Sequence, residues 1–287
     1  MKRFMGMVVP AVVSVLLLTA APVGGWDGPL CFGHGPTATH LGTSGDDVIE
    51  GTAGDDVILG MGGNDTIYGR GGRDRICGGT GHDRIYGGAG GDLLSGDAGN
   101  DKIYGQAGND GFVLGGDGDD VLSPGAGAMN YTGTIEGGAG RDRIVVSQGG
   151  YNEIFGGAGR DAVDFRRAPV AVCIDLMWGE YRTNAVIQIV GGRAWEVEDA
   201  YGSAFADCLW GDDGANRLYG LGGGDILHGR AGDDRLFGGA GEDQLFGEAG
   251  DDGLFGGPHV GDWMEGGAGT DTCQDPDGWI VRDECEA

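Results

Sequence analysis

Eighteen aspartates stand at one position of a nine-residue step: Asp47, Asp56, Asp65, Asp74, Asp83, Asp92, Asp101, Asp110, Asp120, Asp142, Asp161, Asp207, Asp225, Asp234, Asp243, Asp252, Asp262 and Asp271. Of 45 acidic residues, 34 are Asp and 11 are Glu. Chance would put only about four of those aspartates in any one phase of nine. A short carboxylate at a fixed step can ligate a hard cation or cap its own turn. Turn propensity alone would not hold one phase over so many units, so the spacing favours the ion.

The chemistry follows from stacking. Two nonamers make one coil, so turns 18 residues apart lie above one another. Asp47, Asp65, Asp83 and Asp101 then form one column, and Asp56, Asp74, Asp92 and Asp110 the other. Carboxylates one rung apart repel unless a divalent ion lies between them. Glycine-rich turns also aim carbonyl oxygens into the gap. Two carboxylates and several carbonyls make an all-oxygen cage of about six ligands, which suits Ca2+. Zn2+ or Cu2+ would call for His or Cys, and Mg2+ would keep its waters. The formal net charge is −27, and roughly ten bound Ca2+ would add about +20, leaving a mildly acidic particle. The same acidity excludes nucleic acid as a partner. The competing reading is a metal-free solenoid whose aspartates only shape turns.

The elements that must hold these side chains are legible in the same units. From Gly42 the chain reads GTSGDDVIE, GTAGDDVIL, GMGGNDTIY, GRGGRDRIC, GGTGHDRIY, GGAGGDLLS, GDAGNDKIY and GQAGNDGFV, with a one-residue insertion placed at Leu114 before GGDGDDVLS. The phase returns at Gly137, Ser147 and Gly156, and again from Gly202 to GPHVGDWME at Gly257 and GGAGTDTCQ at Gly266. Asn152 and Asn216 take the sixth position in two units, without a charge. Positions seven to nine alternate out–in–out around an aliphatic eighth residue (Ile49, Ile58, Ile67, Ile76, Ile85, Leu94, Ile103), which is a short strand with one inward side chain. Glycines at positions one, two and four allow positive φ and close backbone approach. The core of such a coil is only two side chains wide, so burial alone leaves it marginal. Without ions, self-repulsion and Gly-rich backbone entropy leave much of the array unfolded. Calcium-linked folding is expected, with midpoints of about 10⁻⁴–10⁻³ M.

GGTGHDRIY, GGAGEDQLF and GGAGTDTCQ resemble the GGxGxDxUx nonapeptide of the repeats-in-toxin (RTX), or hemolysin-type, calcium-binding family. The resemblance implies a right-handed parallel β-roll (a β-solenoid, all-β), folded by Ca2+ outside the cell, with the eighteen sixth-position aspartates as metal ligands.

Outside the repeats, Lys2 and Arg3 precede an apolar run over 7–21 that ends in small residues, as in an export signal over 1–25. That makes a secreted, extracellular chain with no membrane span once matured. Residues 26–41 are expected to cap the first block, 42–164, which has irregular coils at 124–136 and 146–155. A strand-rich segment without nonamers (165–201) follows, with AVCIDL (171–176) and AVIQIV (185–190) reading as strands. In the family such a stretch commonly continues the roll as longer coils. The second block covers 202–274, and 275–287 caps the open end. In an oxidising compartment the six cysteines are expected to pair in sequence order, Cys31–Cys77, Cys173–Cys208 and Cys273–Cys285, each pair bracketing one region.

Tyr68, Tyr86 and Tyr104, and likewise Tyr219, Phe237 and Phe255, are 18 apart, so each trio should line one outer face. Such a row is a stacking ladder or a platform for an extracellular glycan or protein. Trp178, Trp195 and Trp210 could form a sugar-binding surface or fill a wider cross-section. His34, His40, His82, His228 and His259 are scattered, and no HExxH, GxSxG or Walker loop occurs. The expected role is therefore a non-catalytic calcium-binding structural or interaction module. The alternative is a calcium-dependent surface adhesin or glycan-binding module.

Overall fold

The computed structural model describes residues 38–125, 133–146, 152–185, 188–258, 261–276 and 285–286. Among them there is no helix; the chain winds into two stacked sheets of fourteen and thirteen strands. The first sheet runs from His40–Leu41 through Val57–Gly62 and Arg75–Thr80 to Trp263–Ala268. The second takes the alternate strands, from Val48–Glu50 and Thr66–Tyr68 to Asp271–Gln274 and Cys285–Glu286. Neighbours within each sheet are parallel and 18 residues apart in the regular coils, as in Ile58↔Ile76 and Ile67↔Ile85. The expected parallel β-solenoid is the observed one.

The eighth-position side chains form the core. Ile58, Ile67, Ile76, Ile85, Leu94 and Ile103 are fully buried, and so are Leu209, Leu218, Leu227, Leu236, Leu245 and Leu254 in the second block. They make one continuous cluster with Phe165, Ile174 and Met264. β-Branched and leucine side chains fit because every rung offers the same narrow slot.

Two placements differ from the sequence reading. Val113 pairs with Leu94 and Leu114 with Ser95, while Phe112 is exposed. The extra residue therefore lies between Asp110 and the strand, not at Leu114. A Phe in a slot sized for Leu or Ile would overpack it, whereas Val fits. At the other end Gly256, rather than Gly257, sits over Asp262, so the extra residue of that unit belongs to its turn.

The 165–201 segment does not continue the roll as simple longer coils. Val172–Asp175, Glu180–Ala185 and Gln188–Trp195 form an antiparallel meander inside the first sheet. Its last strand pairs with Asn152–Gly159 and its first with Cys208–Trp210. AVCIDL is a strand as expected. AVIQIV is divided between two, because Ala185 ends one strand and Gln188 begins its antiparallel partner. On the second sheet only Asp199–Tyr201 intervenes, between Ala162–Asp164 and Arg217–Gly222.

Ninth-position rings stack face to face. Tyr68, Tyr86 and Tyr104 have centroids 5.0 and 5.2 Å apart. Tyr201, Tyr219, Phe237 and Phe255 make a longer row at 4.5 to 4.7 Å, closed at one end by Arg166 over Tyr201. The ring faces are spent on one another, as a stacking ladder requires. Trp195 stacks on Phe155 and Trp210 on His228, while Trp178 is exposed.

Two disulfides match the expected order: Cys173–Cys208, which joins directly paired strand residues, and Cys273–Cys285, which ties the last short strand to its neighbour. Cys31 lies outside the described residues, and so does the Cys31–Cys77 pairing. The same holds for the export signal over 1–25.

Candidate metal centre

Each sixth-position aspartate sits just before a strand with its carboxylate turned inward under the turn. Past the head of each column its Oδ1 accepts the backbone N–H of the sixth-position residue one coil earlier, as in Asp47 N to Asp65 (2.8 Å), Asp65 N to Asp83 (2.8 Å) and Asp83 N to Asp101 (2.7 Å). The other column repeats the bond from Asp56 to Asp74, Asp92 and Asp110. The two expected columns are therefore real.

One column crosses the interruption intact. It runs through Asp120, Asp142 and Asp161, whose N–H donates to Glu198 Oε2 at 2.7 Å. Asn216 Nδ2 then donates to the Glu198 carbonyl, and Asn216 N continues to Asp234, Asp252 and Asp271. The other column restarts at Asp207, beneath Val172 N, and proceeds through Asp225, Asp243 and Asp262. Glu198 was not among the expected residues. It lies off the nonamer phase, and its longer side chain spans a turn shortened to Glu196, Val197 and Glu198.

The second oxygen carries the chemistry. Oδ2 of Asp65, Asp74, Asp83, Asp92, Asp101, Asp110, Asp120, Asp142, Asp161, Asp225, Asp234, Asp252 and Asp271 is buried without a hydrogen-bond partner. A buried carboxylate oxygen left unpaired is costly. Thirteen of them in register call for a ligand that supplies positive charge. Asp47, Asp56 and Asp207 differ, because their Oδ2 atoms accept hydrogen bonds inside their own turns.

The walls are oxygen too. A Cβ built on the first glycine of a unit would lie within 3 Å of that unit's Oδ2 and of the next coil's glycine carbonyl. At Gly87 these distances are 2.7 Å to Asp92 Oδ2 and 2.9 Å to the Gly105 oxygen, and at Gly137 both are 2.5 Å, to Asp142 Oδ2 and the Gly156 oxygen. Only glycine leaves that space open. Among the described residues no three His, Cys, Asp or Glu side chains converge on one point, so backbone carbonyls would have to complete any coordination shell. Carboxylate plus carbonyl oxygen is the donor set of Ca2+.

Electrostatics agree. Burial, opposed by the backbone hydrogen bond and helped by neighbouring carboxylates, pushes Asp74, Asp83 and Asp161 up to about 6 and Asp101, Asp120 and Asp225 up to about 7. At Asp56 burial is outweighed by the Thr52 N–H and hydroxyl, and the carboxyl falls below its usual range.

A second ladder, absent from the sequence reading, runs outside the first with opposite polarity. Here the N–H at position five donates to the position-five side chain of the preceding coil: Asn64 to Asp46, His82 to Asn64, Asn100 to His82 Nδ1, and Asp119 to Asn100. The enrichment of Asp, Asn and His at that position was its signal.

The RTX calcium-binding nonapeptide repeat (4 copies) matches residues 41–76, 78–112, 112–128, 198–227 and 228–258, which is just over half of the chain. No curated protein matches it. Repeat units, stacked turns and paired acidic columns agree, and the chain belongs to the RTX calcium-binding repeat family.

Proposed function

We propose that this is a secreted, non-catalytic protein whose roll closes on Ca2+ held between stacked turns. The observation that carries the reading is the register of thirteen buried, unpartnered carboxylate oxygens facing backbone carbonyls. The residues that would hold the ions are the sixth-position aspartates whose Oδ2 is left unpartnered, with the carbonyls of the first glycines. Bound Ca2+ supplies the positive charge that lets neighbouring carboxylates approach, and roughly ten ions would offset most of the acidic charge. What the chain itself does is position: the Oδ1 bonds fix each carboxylate, and the glycines keep the space open.

Secretion is supported by Lys2 and Arg3 before the apolar run and by the even cysteine count with two disulfides in place. The histidines support a non-catalytic role, since His82 is engaged in the outer ladder and His228 between Trp210 and Phe246. An extracellular protein or glycan partner belongs to the same proposal, with exposed Trp178 and Trp263 as the side chains nearest to such a use.

Circular dichroism during a Ca2+ titration, with ions counted by calorimetry, tests the reading. Strand signal should rise with calcium and collapse in EGTA; a roll that is unchanged by chelation would overturn it.

A further inference from the structure

The turns fall into two classes, and the minority class sits at the head of each block. In the majority, position two has φ between 72° and 82° at Met61, Arg70, Asp97, Gln106, Leu221, Arg230 and Glu248, and φ is likewise positive at glycines such as Gly79 and Gly88. Their aspartates keep an unpartnered Oδ2. Four turns differ. Thr43 N and Oγ1 donate to Asp47 Oδ2 at 2.6 and 2.9 Å, and Thr52 N and Oγ1 to Asp56 Oδ2 at the same distances. Ser203 N and Oγ donate to Asp207 Oδ2 at 2.5 and 3.0 Å. Asp212 N donates to Asn216 Oδ1 at 2.8 Å, and Asn216 Nδ2 returns a bond to Asp212 Oδ1. None of these four position-two residues has a positive φ.

In two of these turns the other carboxylate oxygen is occupied as well. Asp56 Oδ1 accepts from Thr39 Oγ1, and Asp207 Oδ1 from Val172 N. An ion entering such a turn would meet N–H and O–H protons aimed at the carboxylate it needs, and would have to break those bonds first.

Building on the calcium reading, we infer that the turns at 42–47, 51–56, 202–207 and 211–216 are closed by their own side chains and exclude the ion. Each block thus opens with one metal-free coil. The first ion of each column lies one coil further on, between Asp65 and Asp83, Asp74 and Asp92, Asp225 and Asp243, and Asp234 and Asp252. The first coil of each block has a regular nonamer coil on one side only and could offer an ion half a cage. A Thr, Ser or Asp at position two is the local substitute for the missing half.

Native mass spectrometry of the full-length chain at saturating Ca2+ tests this by counting ions. Asp56→Asn and Asp207→Asn should each keep the wild-type count and shift the calcium midpoint by less than about twofold, whereas Asp74→Asn should lose one ion. Thr52→Val, which keeps the shape and removes the hydroxyl, should also keep the count while lowering Tm by about 2–4 °C. Loss of an ion in Asp56→Asn, Asp207→Asn or Thr52→Val would overturn the inference. A wild-type chain that binds no calcium would instead overturn the reading on which it rests.

Discussion

Gly69 and Gly71 lie two residues apart in one turn and should respond to alanine in opposite ways. A Cβ at Gly69 would come within 3 Å of the Gly87 carbonyl oxygen, and would lie 2.5 Å from Asp74 Oδ2 and 3.0 Å from Ile76 Cδ1. Asp74 cannot swing aside freely, because its Oδ1 accepts Asp56 N at 2.9 Å and its own N–H donates to Asp92. Displacing the carboxylate sacrifices a charged hydrogen bond, about 1.5–3 kcal/mol, and overpacks the turn by about 1–3 kcal/mol. Relief of unfolded-chain entropy returns only about 0.4–1 kcal/mol. The net cost of Gly69→Ala is therefore about 3 kcal/mol. At Gly71 the nearest atoms would be Ala89 O at 3.7 Å and Ala53 Cα at 3.9 Å, ordinary contact. Gly71→Ala keeps only the entropy gain. Spread over about four ions taken up together, at 1.4 kcal/mol per tenfold, 3 kcal/mol raises the calcium midpoint about threefold. Circular dichroism titration of both variants reads the difference. Equal midpoints, or a larger shift for Gly71→Ala, would refute the claim that the first glycine guards the ion's space.

The other expectations concern charge, core and ladder. The carboxyls raised to about 6 or 7 bind more protons in the folded, ion-free roll than in the unfolded chain, so their effect on stability is absent near pH 4 and grows as pH rises to about 7. In EGTA, acidification from pH 7 to pH 4.5 should therefore recover strand signal, and in calcium the midpoint should rise as pH falls below about 7; a pH-independent ion-free spectrum would contradict both. Ile85→Ala empties a fully buried slot in every-rung packing and should cost about 2–5 kcal/mol in thermal unfolding with calcium present. Tyr86→Ala removes the middle ring of the Tyr68–Tyr104 row and should lower stability by about 1–3 kcal/mol without changing the number of bound ions, checked by calorimetry.

The sequence carries the roll because its period is redundant: an Asp at position six and an aliphatic residue at position eight repeat so often that register has no competitor. The pairing of Tyr68 with Tyr86 followed from that count, and that of Cys173 with Cys208 from the order of the cysteines. What escaped it are the places where the period lapses. Phe112 and Val113 are both apolar, so pattern could not say which turns inward; slot size decided it. The meander hides in 165–201 because AVIQIV, apolar apart from Gln188, reads as one continuous strand. Thr43, Thr52 and Ser203 were visible at position two, but a single hydroxyl among glycines reads as variation until its bonds are seen.

The meander adds two strands to one sheet and none to the other, an excess of about 10 Å at the usual strand spacing. The two sheets therefore fall out of step by two strands where the blocks meet. Of the two acidic columns, one resumes at Asp207 beyond the meander, while the other passes from Asp161 to Glu198 and then to the uncharged Asn216. With no continuous run of acidic corners between them, the two halves would take up their cations as separate sets.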